Sequence, residues 1–547
     1  MRRRTLQNAW IAISALAALA APSVSHAGPW EGFLELLHLR GPSRDQPTFV
    51  SALGLIQQTP AIRALLAASG LNTLQPELDV NGQKLRTLKF KHFYRGLEVI
   101  GSQVFFHVGE HVDGPVRDLL ARFDLAATPR LSARTAQRLA LSYSDGTRAL
   151  GSPVLKILPG PSRRSARLIY TVQVAEADSL RDEDSVEVWL DALSGAHLAT
   201  LPSRLSVSNV PVQVRSARAQ GFKVEPHYSD DDSGAGKTLL SCRIQDLRGS
   251  APSQVDGPAC RELVRTSCQS VGEHGRPSAM VLASCLEAGS GDEAAERARA
   301  IGQAALDYFN DVHGRDGFDG QGSTLVTVVH AGDAFDNAFW SLNGHYMAYG
   351  DGDGETTGDY TRAKDIGAHE LTHAVTQSTA HLISIGESGA LNEAYSDYFG
   401  KVIENEGNWV LGRNTLIHPH DGEGIRDLEE PARLTGTFVD SAGEVRTRPY
   451  PARTAEMAPI VGPCSARNDF CGVHFNATIP GHAAQQIDRA LGRDKAERLI
   501  YLTLTQFLAE GATFRDSAEA TIAACARLLS EGDCSQVRGI YADAGML

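Results

Sequence analysis

No C-x-x-C occurs in the 547 residues, which removes cysteine-based zinc ribbons and dithiol redox sites from consideration. The first 240 residues hold no cysteine at all; all eight (Cys242, Cys260, Cys268, Cys285, Cys464, Cys471, Cys525 and Cys534) follow them. Long apolar runs are as scarce. Beyond one near the start, no segment has the roughly 20 apolar residues that a membrane-crossing helix needs. Positive charge is also short: the formal net charge is −13, and residues 205–547 carry 29 basic against 47 acidic side chains. A partner held through its phosphates is therefore not expected. What remains, with 42% hydrophobic and 21% charged residues, is an ordinary globular composition in a chain long enough for several domains.

The apolar run near the start lies between Ala9 and Ala21, after Met1-Arg2-Arg3-Arg4 and before Ser25-His26-Ala27. A basic start, a short apolar stretch and a small-residue site make a secretory signal cut after Ala27, so residues 1–27 are expected to leave and the rest to be secreted. Late cysteines suit an exported protein whose disulfides sit in its mature part. Cys464 with Cys471 and Cys525 with Cys534 are close enough in sequence to pair; Cys242, Cys260, Cys268 and Cys285 stay open.

The chemistry concentrates in Ala368-His369-Glu370-Leu371-Thr372-His373. Two histidines four residues apart leave one face of a helix and reach a single ion. Glu370 projects beside that ion, where it takes a proton from water whose pKa a zinc site lowers. Twenty residues on, Glu393 and Asp397 in Glu387-Ser388-Gly389-Ala390-Leu391-Asn392-Glu393-Ala394-Tyr395-Ser396-Asp397 are again one turn apart. A catalytic zinc with two histidines lacks one protein ligand, which Glu393 supplies. Asp397 then suits the carboxylate that takes the other N–H of a ligating imidazole.

With HELTHAVT and ESGALNEAYSD, the upstream NAFW and GDGDG and the downstream GVHFNA, most of residues 290–547 resembles the thermolysin-like metallopeptidases. The resemblance implies an α+β fold: a two-lobed catalytic domain over 205–547, β-rich to about 363, with the zinc helices and an α-helical lobe over 364–547. It implies a secreted, monomeric zinc endopeptidase for protein or peptide substrates, holding one catalytic Zn2+ and made as a zymogen. Phe93-Tyr94-Arg95-Gly96-Leu97-Glu98-Val99-Ile100-Gly101-Ser102-Gln103 is similar to the propeptide segment of these enzymes and of the fungalysin-like ones. Residues 28–130 are therefore expected to be a first propeptide domain and 131–204 a small second one, acting as chaperone and inhibitor, with processing between about 203 and 225.

The same resemblance places Asn337 and Ala338 on an edge strand that takes an extended substrate. It makes His474 the donor to the oxyanion, with Asp469 orienting it, Arg426 the holder of the carbonyl after the scissile bond, and Ile366, Leu411 and Ile425 the wall of a hydrophobic leaving-side pocket. Two departures stand out. Ser384 replaces the family's tyrosine, a second oxyanion donor. Of the paired calcium site only Asp365 and Glu404 remain, beside Asn408, Val410 and Arg413, so at most one weakly held Ca2+ is expected. A catalytically silent zinc-containing binding protein or adhesin is the alternative, though Glu370 and His474 are both present; an aminopeptidase would need an acidic pocket that the sequence does not mark out.

Periodicity fills in the elements: a strand meander over 82–108 with turns at Arg95-Gly96 and Ile100-Gly101, a helix from Ser132 to Ser142, and strands over Ala166–Val174 and Ser185–Leu190. A capping box at Ser290 and Glu293 opens a helix ending near Gly314, and a strand follows over Leu325–Val329. Gly350-Asp351-Gly352-Asp353-Gly354 reads as a turn, because Arg362 stands where an EF-hand needs glutamate. Helices cover the end, one capped by Asp494 and running to Phe507, another over Phe514–Leu529.

Overall fold

The computed structural model describes most of residues 72–206, then 222–227 and 241–246, and most of 293–547. The expected signal segment, the reading of Ser290 and the pairing of the four earlier cysteines lie outside the described residues. By its contacts the chain forms two compact units, one of residues 1–79, 84–99 and 103–121, the other holding the remainder.

The smaller unit carries strands β1 (Asn72–Asn81), β2 (Arg86–Tyr94), β3 (Leu97–Val108) and β4 (Val112–Asp113). β2 and β3 are antiparallel about Arg95-Gly96, whose φ angles of 52° and 78° are the two left-handed residues of a tight hairpin turn. The turn expected at Ile100-Gly101 is not there. The register jumps from Phe93 opposite Glu98 to Lys91 opposite Gln103, so residues 99–102 are looped out of the pairing while β3 runs on; Gly101, at φ 73°, permits the excursion.

The larger unit begins with α1 (Ala133–Tyr143), whose N-cap Ser132 accepts the Thr135 amide. The helix lays Ala136 and Ala140 on an antiparallel sheet of β5 (Arg148–Pro159), β6 (Ala166–Ala175), β7 (Ser185–Asp191) and β8 (His197–Leu201), in sequence order. β9 (Arg204–Ser206) leaves for another sheet, and β10 (Phe222–His227) and β11 (Ser241–Asp246) pair with each other. In α2 (Glu293–His313), Ala294, Ala298, Ile301 and Ala305 form the buried stripe that the sequence periodicity requires, and Phe309, where the period pointed to Tyr308, completes it.

β12 (Val326–Val328), β13 (Ala338–Ser341) and β14 (Tyr346–Tyr349) join β9 in a second sheet, ordered β12-β14-β13-β9, with only β12 and β14 parallel. The Gly350–Gly354 run is a turn as read: Asp353 Oδ1 accepts the amides of Glu355, Thr356 and Thr357.

Two helices buried on all sides form the centre, α3 (Lys364–Gln377) and α4 (Gly386–Glu404), packed on each other. After β15 (Val410–Leu411), β16 (Arg426–Asp427), β17 (Thr435–Val439) and β18 (Val445–Pro449) come α5 (Asp469–Leu491), which packs on α4, then α6 (Arg493–Leu502), α7 (Phe514–Leu528) and α8 (Glu531–Asp543). A π-helical turn, Thr503–Phe507, extends α6. Asp494 is not its cap; Gly492 holds that position, and Asp494 sits in the first turn bonded to Arg498. Both proposed disulfides form, Cys464–Cys471 and Cys525–Cys534. Among the described residues no helix is long and apolar enough to cross a membrane.

Candidate metal centre

α3 presents His369 and His373 on one face, and α4 brings Glu393 against them. His369 Nε2 and His373 Nε2 are 3.0 Å apart, and each lies 3.3 Å from a Glu393 oxygen. Ligand bonds of about 2.0–2.1 Å arranged tetrahedrally put neighbouring donor atoms about 3.3 Å apart. The outer nitrogens are committed elsewhere. His369 Nδ1 is 2.9 Å from Asp397 Oδ1, and His373 Nδ1 donates to Asn392 Oδ1 at 3.0 Å, with Ser396 Oγ at 3.1 Å. The inner nitrogens therefore turn lone pairs on one another and on a carboxylate, an arrangement that a cation satisfies. Two imidazoles and one carboxylate fit Zn2+, and the three residues lie at most 1% exposed.

Burial and the neighbouring charges pull these groups in opposite directions. Burial pulls the His369 imidazole down, but Asp397 and Glu393 outweigh it and hold it at about 10; burial lowers His373 to about 4. Burial also resists ionisation of Glu393, yet His474, His373 and His369 together bring its carboxyl below the usual range. Glu370 points into the same space, fully buried, and neither of its oxygens makes a well-formed hydrogen bond. Burial is the main reason its carboxyl rises to about 8.

His474 arrives from α5 by an unusual backbone. Asp469, Phe470, Cys471 and Gly472 all have left-handed φ, between 47° and 76°, a conformation that costs side-chain-bearing residues about 1–2 kcal/mol each. Asn468 accepts the Cys471 amide, and Cys471 is tied to Cys464. Regular helix starts at Val473, and Asp469 Oδ2 accepts the amides of His474 and Phe475, capping that start. Its other oxygen is 2.5 Å from His474 Nδ1. Burial lowers His474, but Asp469 and Glu393 carry it up to about 9. His474 Nε2 lies 3.6 Å from Glu393 Oε2 and donates to the carbonyl of Ser206 at 2.6 Å.

Arg426 on β16 is buried and forks onto Asp397, Nε to Oδ2 and one terminal nitrogen to Oδ1, both at 2.7 Å; that nitrogen is 3.6 Å from Glu393 Oε2. It thus belongs to the metal centre's charge network as well as to its rim. Ile366 and Ile425 meet over Gly412: a Cβ there would lie 2.5 Å from Ile425 Cδ1 and 3.4 Å from Ile366 Cδ1. Leu411 is the neighbouring residue and fully buried. Asn337 and Ala338 are buried on the β13 side, the Asn337 carbonyl accepting the Gly350 amide at 2.9 Å.

Asp365 and Glu404 come together, but around an ammonium that sequence reading passed over. Lys401 Nζ donates to Glu404, to the Val410 carbonyl at 2.9 Å and to Asp365 Oδ2 at 3.4 Å, and Lys401 is 3% exposed. The signal was available, since Lys401 stands one turn after Asp397 on α4. Asn392 and Ser396 were also missed as partners of His373, although they stand one turn apart on α4, on either side of Glu393 in the sequence.

Comparison with known proteins fits this arrangement. The family model of the thermolysin metallopeptidase catalytic domain matches residues 282–377, and that of its alpha-helical domain matches 380–545. An extracellular elastase of Staphylococcus epidermidis is 32% identical over 245 residues, 44% of this chain and 44% of its own. Neutral protease NprE of Bacillus pumilus is 34% identical over 241 residues, 44% of this chain and 73% of its own. Thermolysin of Alicyclobacillus acidocaldarius subsp. acidocaldarius is 34% identical over 251 residues, 43% and 42%. The match thus spans less than half the length of the elastase and of that thermolysin. Among solved structures, the precursor of protealysin, a metalloproteinase from Serratia proteamaculans, is 29% identical with a TM-score of 0.42, covering 48% of this chain and 81% of that one. Two imidazoles and a carboxylate converging from adjacent helices, in a segment matched over 282–377 and 380–545 by the two domain models and by a neutral protease covered over 73% of its length, place this chain in the thermolysin metallopeptidase family.

Proposed function

We propose that the chain is a secreted zinc-dependent endopeptidase made as a zymogen, cutting peptides before a hydrophobic residue. The observation that carries the reading is the convergence of His369, His373 and Glu393 at 3.0–3.3 Å beside an unengaged Glu370. His369, His373 and Glu393 would hold a Zn2+, which would supply Lewis acidity to the scissile carbonyl and to water. Glu370, beside that cation, would accept the proton of the attacking water and pass it to the leaving nitrogen. His474, charged and fixed by Asp469, donates to the oxygen that becomes negative. Asn337, Ala338 and the rest of β13 take the substrate backbone as an added strand, Arg426 faces the carbonyl after the cut, and Ile366, Leu411 and Ile425 receive the apolar side chain. Residues 28–204 serve as a propeptide of two domains, divided near 130.

The test is degradation of denatured casein by the secreted protein, before and after removal of zinc and after its return. Loss with the chelator and recovery with zinc are expected. An activity indifferent to both, or none from a zinc-replete chain, rules the reading out.

A further inference from the structure

The bond between Cys464 and Cys471, 7 positions apart, closes a small ring on the residue that holds His474. Inside the ring lies Asp469, which accepts the His474 and Phe475 amides and faces His474 Nδ1 at 2.5 Å. Asp469, Phe470 and Cys471 follow one another in the left-handed region, at φ 53°, 47° and 72°. Side-chain-bearing residues enter that region singly as a rule, so three in succession persist only where their surroundings impose them. Two ties do so here. The disulfide fixes Cys471, 1% exposed, against Cys464. Asn468 bridges the ring from within: its Oδ1 accepts the Ser465 and Cys471 amides at 2.9 and 3.2 Å, and its Nδ2 donates to the Pro463 carbonyl at 3.0 Å. The regular helix that carries His474 starts just beyond the bond, after Gly472.

We propose that Cys464 and Cys471 are positioning residues of the hydrolysis: their bond holds the left-handed turn that aims His474 at the oxygen becoming negative in the transition state. This rests on the proteolytic reading above and deepens it. A donor to that oxygen works through a distance and direction set before the reaction begins, so a loosened imidazole costs turnover and leaves substrate, held by other groups, bound much as before. A bond serving stability alone has no such selectivity. The pair Cys525–Cys534 supplies the comparison, since it closes a ring of similar size between α7 and α8 and contains none of these residues. Turnover is thus tied to the oxidised state of one cysteine pair and not of the other.

The experiment takes the zinc-loaded enzyme obtained from the full chain and compares the parent, Cys464→Ser with Cys471→Ser, His474→Ala, and all three changes together. It measures kcat and KM on one peptide and zinc per chain. Removing the bond should lower kcat about 10-fold or more with KM within about 2-fold, a smaller loss than the roughly 10²–10³-fold expected of His474→Ala. In the His474→Ala background the same removal should change kcat less than about 2-fold, because the histidine it acts through is gone. Cys525→Ser with Cys534→Ser should keep the parent's kcat. Equal loss in both backgrounds, or a loss that falls on KM, overturns the proposal and leaves the bond structural; an unchanged kcat in the folded, zinc-loaded variant does the same. Should the serine pair not be recovered folded, the parent enzyme treated with a phosphine reductant, its opened cysteines mapped by alkylation, makes the comparison without a folding step. Its kcat should fall as Cys464 and Cys471 open, and a kcat that holds with this pair open overturns the proposal. A parent inactive with zinc bound overturns the proteolytic reading itself.

Discussion

Glu370 is buried among three groups that hold each other's charge, yet engages none of them, which is how a residue kept for proton transfer is expected to look. Glu370→Gln keeps the shape and loses the lone pair that accepts the proton. It should bind one zinc per chain, by metal analysis, while peptide turnover falls at least about 10²–10⁴-fold; substantial turnover would reassign the base. Ser384 poses the opposite question. Tyr360, one alternative donor, gives its hydroxyl proton to Asp336 at 2.9 Å, so it is spoken for. Ser384→Tyr should therefore raise kcat with little change in KM, because an added donor acts on charge that forms in the transition state; unchanged or lower kcat in a folded, zinc-loaded variant means that the site is not short of a donor. His369, Glu370, His373, Glu393 and Asp397 were legible because helical spacing alone places them. His474 was legible only through the resemblance: four left-handed residues, Asp469 to Gly472, aim it, and only Gly472 among them carries a local signal.

Lys401 joins the two helices that carry the metal ligands, reaching from α4 to Asp365 on α3, one turn before His369. Without its ammonium, Asp365 and Glu404 would face each other buried and uncompensated. Lys401→Met should cost about 3–5 kcal/mol in denaturant unfolding, and added Ca2+ should raise the melting temperature of Lys401→Ala but not that of the parent. The parent should also keep its melting temperature under selective calcium chelation with zinc retained. A large drop there would mean that a divalent ion shares the site. Burial, followed by Asp365, pushes the Glu404 carboxyl up to about 7. A carboxyl that holds its proton more tightly folded than unfolded favours the fold at low pH and loses that advantage as pH climbs from about 4.5 through about 7. Stability should fall over that window by roughly 1–3 kcal/mol, and Glu404→Gln should flatten the fall. Counting carboxylates in the sequence left calcium open because the count reached Arg413 and stopped short of the lysine between them.

Across the larger unit, the sheet of β5–β8 does more than precede the metal centre. Trp189, Ile169 and Ala199 form a cluster against which Ile383, Ile385 and Cys464 pack, and the Thr200 amide donates to the Cys464 carbonyl at 2.8 Å. The loop of Ser384 and the disulfide at the start of α5 therefore both rest on the segment proposed as the second propeptide domain. Sequence periodicity found the strands of that domain but could not reveal this contact, which joins Trp189 to Ile383 and Thr200 to Cys464, far apart in the chain. Trp189→Ala in the uncut Glu370→Gln chain should lower the first unfolding transition by about 3–5 kcal/mol, the usual result of emptying a buried Trp site. The variant with Glu370 intact should be secreted in smaller amount, yet once the propeptide is removed its kcat should equal that of the parent, since Trp189 leaves with it. An unmoved transition would show that Ile383, Ile385 and Cys464 hold their places without the cluster, and a matured enzyme with altered kcat would show that the fold retains the imprint of the segment that shaped it.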